Sequence, residues 1–275
     1  SFYGKVYSDD GQNLLLTGPK VSIIVNGAKI DSTFASTTDG SFAFQEIDTP
    51  ATGTPMIVYL DDSAAKGVAY NRYNGHDQIN NFNIYQNRVI LRHDDPGPIT
   101  VNNIGSYDGN TDPDIKASVS GGVLNIATGN KLYIWPGCTF DAGTANLALN
   151  DVEIKGTFQA SSTQTISVSG SWDAANGTFS AASSTVKLTS TSGGNTITAS
   201  TSRFYNLTLD GIGGSWTTVD NVIANGTTTI LHGNLIQGAD VNFETESLLI
   251  ESGAVFTKAA GIGIVMLLIT VVTGL

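Results

Sequence analysis

The sequence has one cysteine, Cys138, among 275 residues, so no internal disulfide can close and no thiolate zinc site can be assembled. "YIWPGCTF" surrounds Cys138 with apolar neighbours and places no His or Lys beside it, which predicts a small core residue rather than a reactive thiol. Charge is sparse as well. Charged residues make up 13%, and 13 basic side chains against 24 acidic ones leave a net charge of −11. A phosphate-backbone footprint needs clustered Lys and Arg, so nucleic acid is excluded as an expected partner. Only three histidines occur, and His232 is the only one after residue 116, which leaves little material for an imidazole-centred reaction site.

Glycine, at 31 residues, is abundant beside Ser, Thr and Asn, and this composition predicts turn-rich β structure. The length suits one large β unit or two domains. Over residues 1–92, "YGKVYS" and "KVSIIVNG" alternate apolar and polar residues. "TDGSFAFQEI" sets Asp39-Gly40 before Phe42 and Phe44, as a tight turn entering a strand should. "TPMIVYLD" and "INNFNIYQNRVILRH" add further strands. Gly4, Val6, Tyr7, Val21 to Val25 and "TTDGSFAF" resemble the carboxypeptidase regulatory-like, prealbumin/Ig-like β-sandwich of large secreted microbial proteins. The resemblance covers about residues 2–62 and implies a non-catalytic presentation module.

Residues 93–115 concentrate Pro, Gly, Asp and Asn and read as an acidic linker. Asp108, Asn110, Asp112 and Asp114 place oxygen side chains at every second position. Two readings stand: a wrap for Ca²⁺, which takes six to eight oxygens, or a run of Asx turns whose side chains cap backbone amides. The ion, if bound, is expected to raise the unfolding temperature. His93 beside Asp94 and Asp95 lacks a neighbouring nucleophile and is read as a solvated loop.

From residue 116 to 258 the texture changes to short apolar segments punctuated by Gly, Ser and Thr. "GTFQASS" at Gly156 recurs as "GTFSAASS" at Gly177, and "SGSW" at Ser169 is echoed by "GGSW" at Gly213. A repeat of about twenty residues cannot bury its own apolar face, so the copies are expected to stack. "FYNLTL" and "NGTTTIL" resemble the parallel β-helix repeats of giant microbial surface proteins described as adhesin-like. The expected architecture is therefore all-β: an N-terminal sandwich, then a right-handed parallel β-solenoid with an apolar C-terminal segment.

The carboxylates of this half, among them Asp141, Asp151, Glu153, Asp210 and Glu246, lie scattered in sequence, so a polysaccharide-cleaving β-helix enzyme is the least favoured class. Trp172, Trp216, Tyr133, Trp135 and Tyr205 offer faces for sugar rings but sit inside apolar strands, where packing is the commoner role. The tail at 259–275 is uncharged and just short of a bilayer span; strand pairing with a partner, membrane contact, or the continuation of a longer protein are its three readings. Ser1 as first residue is read as the product of signal-peptide removal, and Asn176, Asn206 and Asn225 as glycosylation sequons. The expected function is an extracellular, self-assembling building block of a surface filament, surface layer or adhesin stalk. The alternative is a glycan-binding adhesin module at the cell surface.

Overall fold

Short β-branched and apolar segments separated by Gly-rich turns fold into strands throughout. A computed structural model, which describes residues 1–76 and 78–267, is all-β and contains a parallel β-solenoid. Two compact units occur, residues 1–141 and 142–275.

In the first unit, Ala28–Phe34, Lys20–Val25, Pro55–Leu60 and Val68–Arg72 pair antiparallel in that order. The pairing then changes direction: Arg88–Leu91 lies parallel to Val68–Arg72, and Lys131–Ile134 lies parallel to Arg88–Leu91. Parallel stacking thus begins ahead of the acidic segment. "INNFNIYQNRVILRH" breaks into two strands, Ile84–Tyr85 and Arg88–Leu91, because Asn87 adopts φ 57° and turns the chain between them. A smaller sheet places Phe2–Tyr7 between Ser41–Phe44 and Ile84–Tyr85. Its alternation buries Phe2, Val6, Phe42 and Phe44 against Val21, Ile23, Met56, Val58 and Leu60 of the larger sheet in one core.

The second unit is built from three parallel faces. On the first, Leu147, Ile166, Val186, Leu207, Thr228 and Leu248 stand one above another, nineteen to twenty-one residues apart, on six levels. On the second, Val152–Ile154 pairs with Trp172–Asp173, which pairs with Asn195–Thr198; the later parts of Asn206–Thr218 and Val222–Gln237 and then Val255–Lys258 follow. On the third, Thr157–Gln159 pairs with Thr178–Ser180, and Phe204, Ala224 and Phe243–Ile250 lead to Val265–Leu267. Alternation along each strand turns Ile166, Val168, Val186, Leu188, Leu207 and Leu209 inward, all essentially fully buried. Each such side chain contributes about 1.5–3 kcal/mol of transfer free energy.

Corners, where the main-chain ladder breaks, are pinned by side chains from the level below. Asp151 Oδ1 accepts from the Ser171 amide (2.7 Å), Asn206 Oδ1 from Thr227 (3.0 Å), Asn221 Oδ1 from Asn242 (2.7 Å) and Asn242 Oδ1 from Ile264 (3.1 Å). These bonds satisfy amides that bending would otherwise leave without a partner. Phe158 and Phe179, from the two copies of the Gly-Thr-Phe repeat, fall in register at adjacent levels and their rings meet edge to face at 5.3 Å. Of the tail, Val265–Leu267 joins the stack as a strand; residues 268–275 lie outside the described residues. No helix among the described residues is long and apolar enough to cross a membrane.

Candidate functional site

The acidic segment is folded. Thr100 and Asn103 form a reciprocal cap on the short helix Val101–Gly105, and Asp108 follows it. Asp108 Oδ1 accepts from the Asn110 amide (3.0 Å), and its Oδ2 accepts from Asn110 Nδ2 (2.9 Å) and the Val119 amide (3.0 Å). Asp112 Oδ1 accepts from the Asp114 amide (3.0 Å), and its Oδ2 from the Tyr59 hydroxyl (2.6 Å). Asp114 pairs with Lys66 and accepts from the Asp62 amide (2.7 Å). Every carboxylate oxygen of the three aspartates thus already takes a proton donor, the arrangement of Asx turns and caps.

Asp114 is brought instead beside Asp61 and Asp62, and these three can place one oxygen each within 4.8 Å of one another. Cations of the chain occupy that cluster: Lys20 lies 3.0 Å and Lys29 2.5 Å from Asp61 Oδ2, which also accepts from Ser22 Oγ at 2.6 Å. Burial pushes the Asp61 carboxyl up, but the bonds from Lys29, Ser22 and Lys20 outweigh it and hold the group down at about 2. Burial, followed by the Asp112 carboxylate, pushes the Tyr59 phenol far above its usual range. An Asp114→Ala exchange is expected to cost about 1–3 kcal/mol through loss of the Lys66 and Asp62 contacts. Millimolar Ca²⁺ or chelator is expected to leave the melting curve in place. Thermal unfolding of both proteins with and without the ion checks this, and a clear Ca²⁺-dependent rise would instead assign the oxygens to a metal.

His93 is half-buried rather than solvated. Its Nδ1 contacts the Asp95 carbonyl at 2.7 Å and its Nε2 accepts from the Thr139 amide at 2.8 Å, which defines the neutral Nδ1–H tautomer. Arg92 pairs with Asp94 and Arg72 with the buried Asp95, at 2.5 and 2.7 Å. Cys138 lies in the same region, with Sγ 3.4 Å from the His93 amide, and burial pushes its thiol above the ordinary range.

One association was not visible in the linear order of carboxylates. Lys187, Asp210 and His232 meet on the outside of the second unit: Lys187 Nζ lies 2.6 Å from Asp210 Oδ2, and His232 Nδ1 lies 2.7 Å from Asp210 Oδ1. Lys187, then His232, holds the Asp210 carboxyl below its usual range. The separations of 23 and 22 residues are close to one level of the stack, the signal that would have found the group.

The aromatic candidates divide by burial. Trp172 and Trp216 are fully buried, Tyr133 nearly so, Trp135 is half-buried, and Tyr205 is exposed. Trp172 stacks between Phe158 (24° between planes) and the edges of Phe179 and Phe204, while Trp216 Nε1 donates to the Gly170 carbonyl at 3.0 Å. Neither indole is available to a sugar ring. Among the sequons, Asn176 sits exposed in a turn, Asn206 is tied to Thr227 and Thr185, and Asn225 is exposed beside Arg203.

The last level of the second unit contrasts with those beneath it. Ile230, on the level below, is fully buried, whereas its register partner Ile250 is 43% exposed. Val265, Met266 and Leu267 are likewise exposed, Leu267 at 40%. Among the described residues, no strand pairs with the outer side of 247–250 or of Val255–Lys258. Among the described residues, that side carries no partner strand, and apolar side chains that lower levels bury lie beside it.

No known family matches the chain, and comparison with curated proteins and with solved structures gave no match.

Proposed function

We propose that the protein is an extracellular structural component that assembles with copies of itself through the open edge of its solenoid, as a building block of a surface filament, surface layer or adhesin stalk. The single observation carrying this reading is the last described level, whose outer side carries no partner strand among the described residues and whose Ile250, Val265, Met266 and Leu267 are exposed. Hydrogen-bonding groups in a row are satisfied best by another strand, and the apolar residues beside them are covered at the same time. A second copy supplies both. A contact between two different surfaces that does not close on itself propagates into a fibre. Within this reading the N-terminal unit is a carboxypeptidase regulatory-like presentation module, supported by the Asp39-Gly40 turn into Ser41–Phe44 and by the core shared between its two sheets. The exposed sequon at Asn176 fits a location outside the cell.

Concentration-dependent light scattering together with negative-stain microscopy tests the assembly. Rods or fibres are expected from the unaltered chain, and Ile250→Lys combined with Leu267→Lys is expected to leave single particles of unchanged circular dichroism. Single particles from the unaltered chain at all concentrations, or fibres that persist in the double variant, would remove the edge as the assembly surface.

A further inference from the structure

We infer that the N-terminal unit carries a binding groove for a neutral oligosaccharide on the outer face of its smaller sheet, lined by Phe34, Tyr3, Asn80, Asn81 and Asn83. This goes beyond the structural role and does not depend on it.

The groove encloses about 430 Å³. That volume is within the range of small-ligand sites. Its floor is the outward side of Phe2–Tyr7 and Ser41–Phe44, where Tyr3 lies opposite Ala43 and Lys5 opposite Ser41. Short side chains on one strand keep this floor low. Gly4 faces the other way, into the core, where a Cβ would stand 2.3 Å from the Phe82 carbonyl oxygen and 2.5 Å from the Phe42 ring, so the strand lies close against the 82–83 segment that carries Asn83. One wall is Phe34, 71% exposed, at the end of the edge strand Ala28–Phe34. A ring so exposed contributes little to the core and offers an apolar face to a flat ligand.

The opposite wall is a run of carboxamides with unused capacity. Asn83 Oδ1 accepts from the Lys5 amide at 2.9 Å, which fixes the orientation of that side chain, while its Nδ2 has no partner among the described residues. Asn80 Oδ1 accepts from Gln78 at 2.8 Å, and the exposed Asn81 side chain makes no bond among the described residues. Carboxamides donate and accept together, the capacity that neighbouring hydroxyls of a sugar match. The one cation of the lining, Lys5, is balanced by Asp39 at 3.5 Å, so the groove holds no uncompensated charge. An aromatic face opposite free amides, with charge neutralised, fits a neutral polyhydroxylated chain better than a uronate or a phosphate. It also differs from the aromatic residues first singled out for sugar contact, of which Trp172 and Trp216 are fully buried.

Titration of the full chain with cellotriose, maltotriose, mannotriose and triacetylchitotriose, followed by calorimetry and by amide NMR shifts, tests the inference, with a galacturonate trimer as acidic comparison. At least one neutral probe is expected to bind with a Kd of roughly 0.1–1 mM. Phe34→Ala is expected to weaken it about tenfold and Asn83→Ala several-fold, with circular dichroism unchanged. Absence of binding by every neutral probe at 10-mM concentrations (an upper limit of about −2.7 kcal/mol), indifference to Phe34→Ala, or a preference for the galacturonate trimer would each overturn it.

Discussion

Trp172→Ala is expected to lower the stability of the C-terminal unit by about 3–5 kcal/mol, the range for removing a buried aromatic side chain. The indole is fully buried and sits within 4.8–6.1 Å, centroid to centroid, of Phe158, Phe179 and Phe204 on its own and neighbouring levels. Its removal would open a cavity whose lining resists collapse, because Phe158 and Phe179 stand on paired strands and the Phe204 amide is held by the Ile223 carbonyl. Trp172→Phe is expected to cost much less. The Trp172 Nε1 has no hydrogen-bond partner among the described residues, so phenylalanine loses volume but no polar contact. Trp216 behaves differently, since Phe at that position also abandons the Gly170 carbonyl. Urea unfolding followed by far-ultraviolet circular dichroism reads all three. A cost below about 1 kcal/mol for Trp172→Ala would mean that the aromatic column is not the core of this unit.

The second large effect is expected from one methyl group. Gly211→Ala places a Cβ 1.9 Å from the Ser190 carbonyl oxygen and 2.9 Å from the Trp216 ring. Neither neighbour is the end of a flexible side chain: one is the backbone of the level below, the other a fully buried indole. Relief requires adjacent levels to separate, and about 3 kcal/mol is the expected loss, at the upper end for overpacking. Gly194→Ala is the control. Gly194 has φ 87° and meets nothing within 4 Å, so its exchange carries conformational strain alone, about 1 kcal/mol. Equal melting temperatures for the two variants would show that the corner at 211–214 is not packed as described.

The solenoid was legible because its repeat is spelled in side chains that register aligns. Thr157, Phe158 and Gln159 lie opposite Thr178, Phe179 and Ser180, matching the recurrence of Gly-Thr-Phe after twenty-one residues. The echo of "SGSW" in "GGSW" was misleading. Trp172 is in register with Ile197 and Ile197 with Thr218, so Trp216 stands two residues out of line with Trp172. Similar spelling marks a similar corner, but the number of residues in the corner decides the register. In the N-terminal half the strands could be read from alternation. The change from antiparallel to parallel pairing at Val68–Arg72 could not, because alternation records which face is buried and not which strand lies alongside.

The acidic segment shows the same limit. Alternating oxygen side chains at 108, 110, 112 and 114 suit an ion or a set of caps equally well in one dimension. What separates the oxygens is contact with Tyr59, Lys66 and Val119, remote in sequence from most of them. The groove beside Phe34 gave no linear signal, since its walls come from residues about fifty apart. The Lys187, Asp210 and His232 association was hidden for the opposite reason: its members are regularly spaced, but their kinds differ from level to level.

Among the described residues of the second unit, strand partners lie about one circuit apart, so each level is held chiefly by its immediate neighbours. Length is consequently a quantised variable: adding or deleting one circuit would extend or shorten the unit by about 4.8 Å while leaving the remaining neighbours as they were. Such a design lets evolution adjust reach in small steps without inventing a new interior each time.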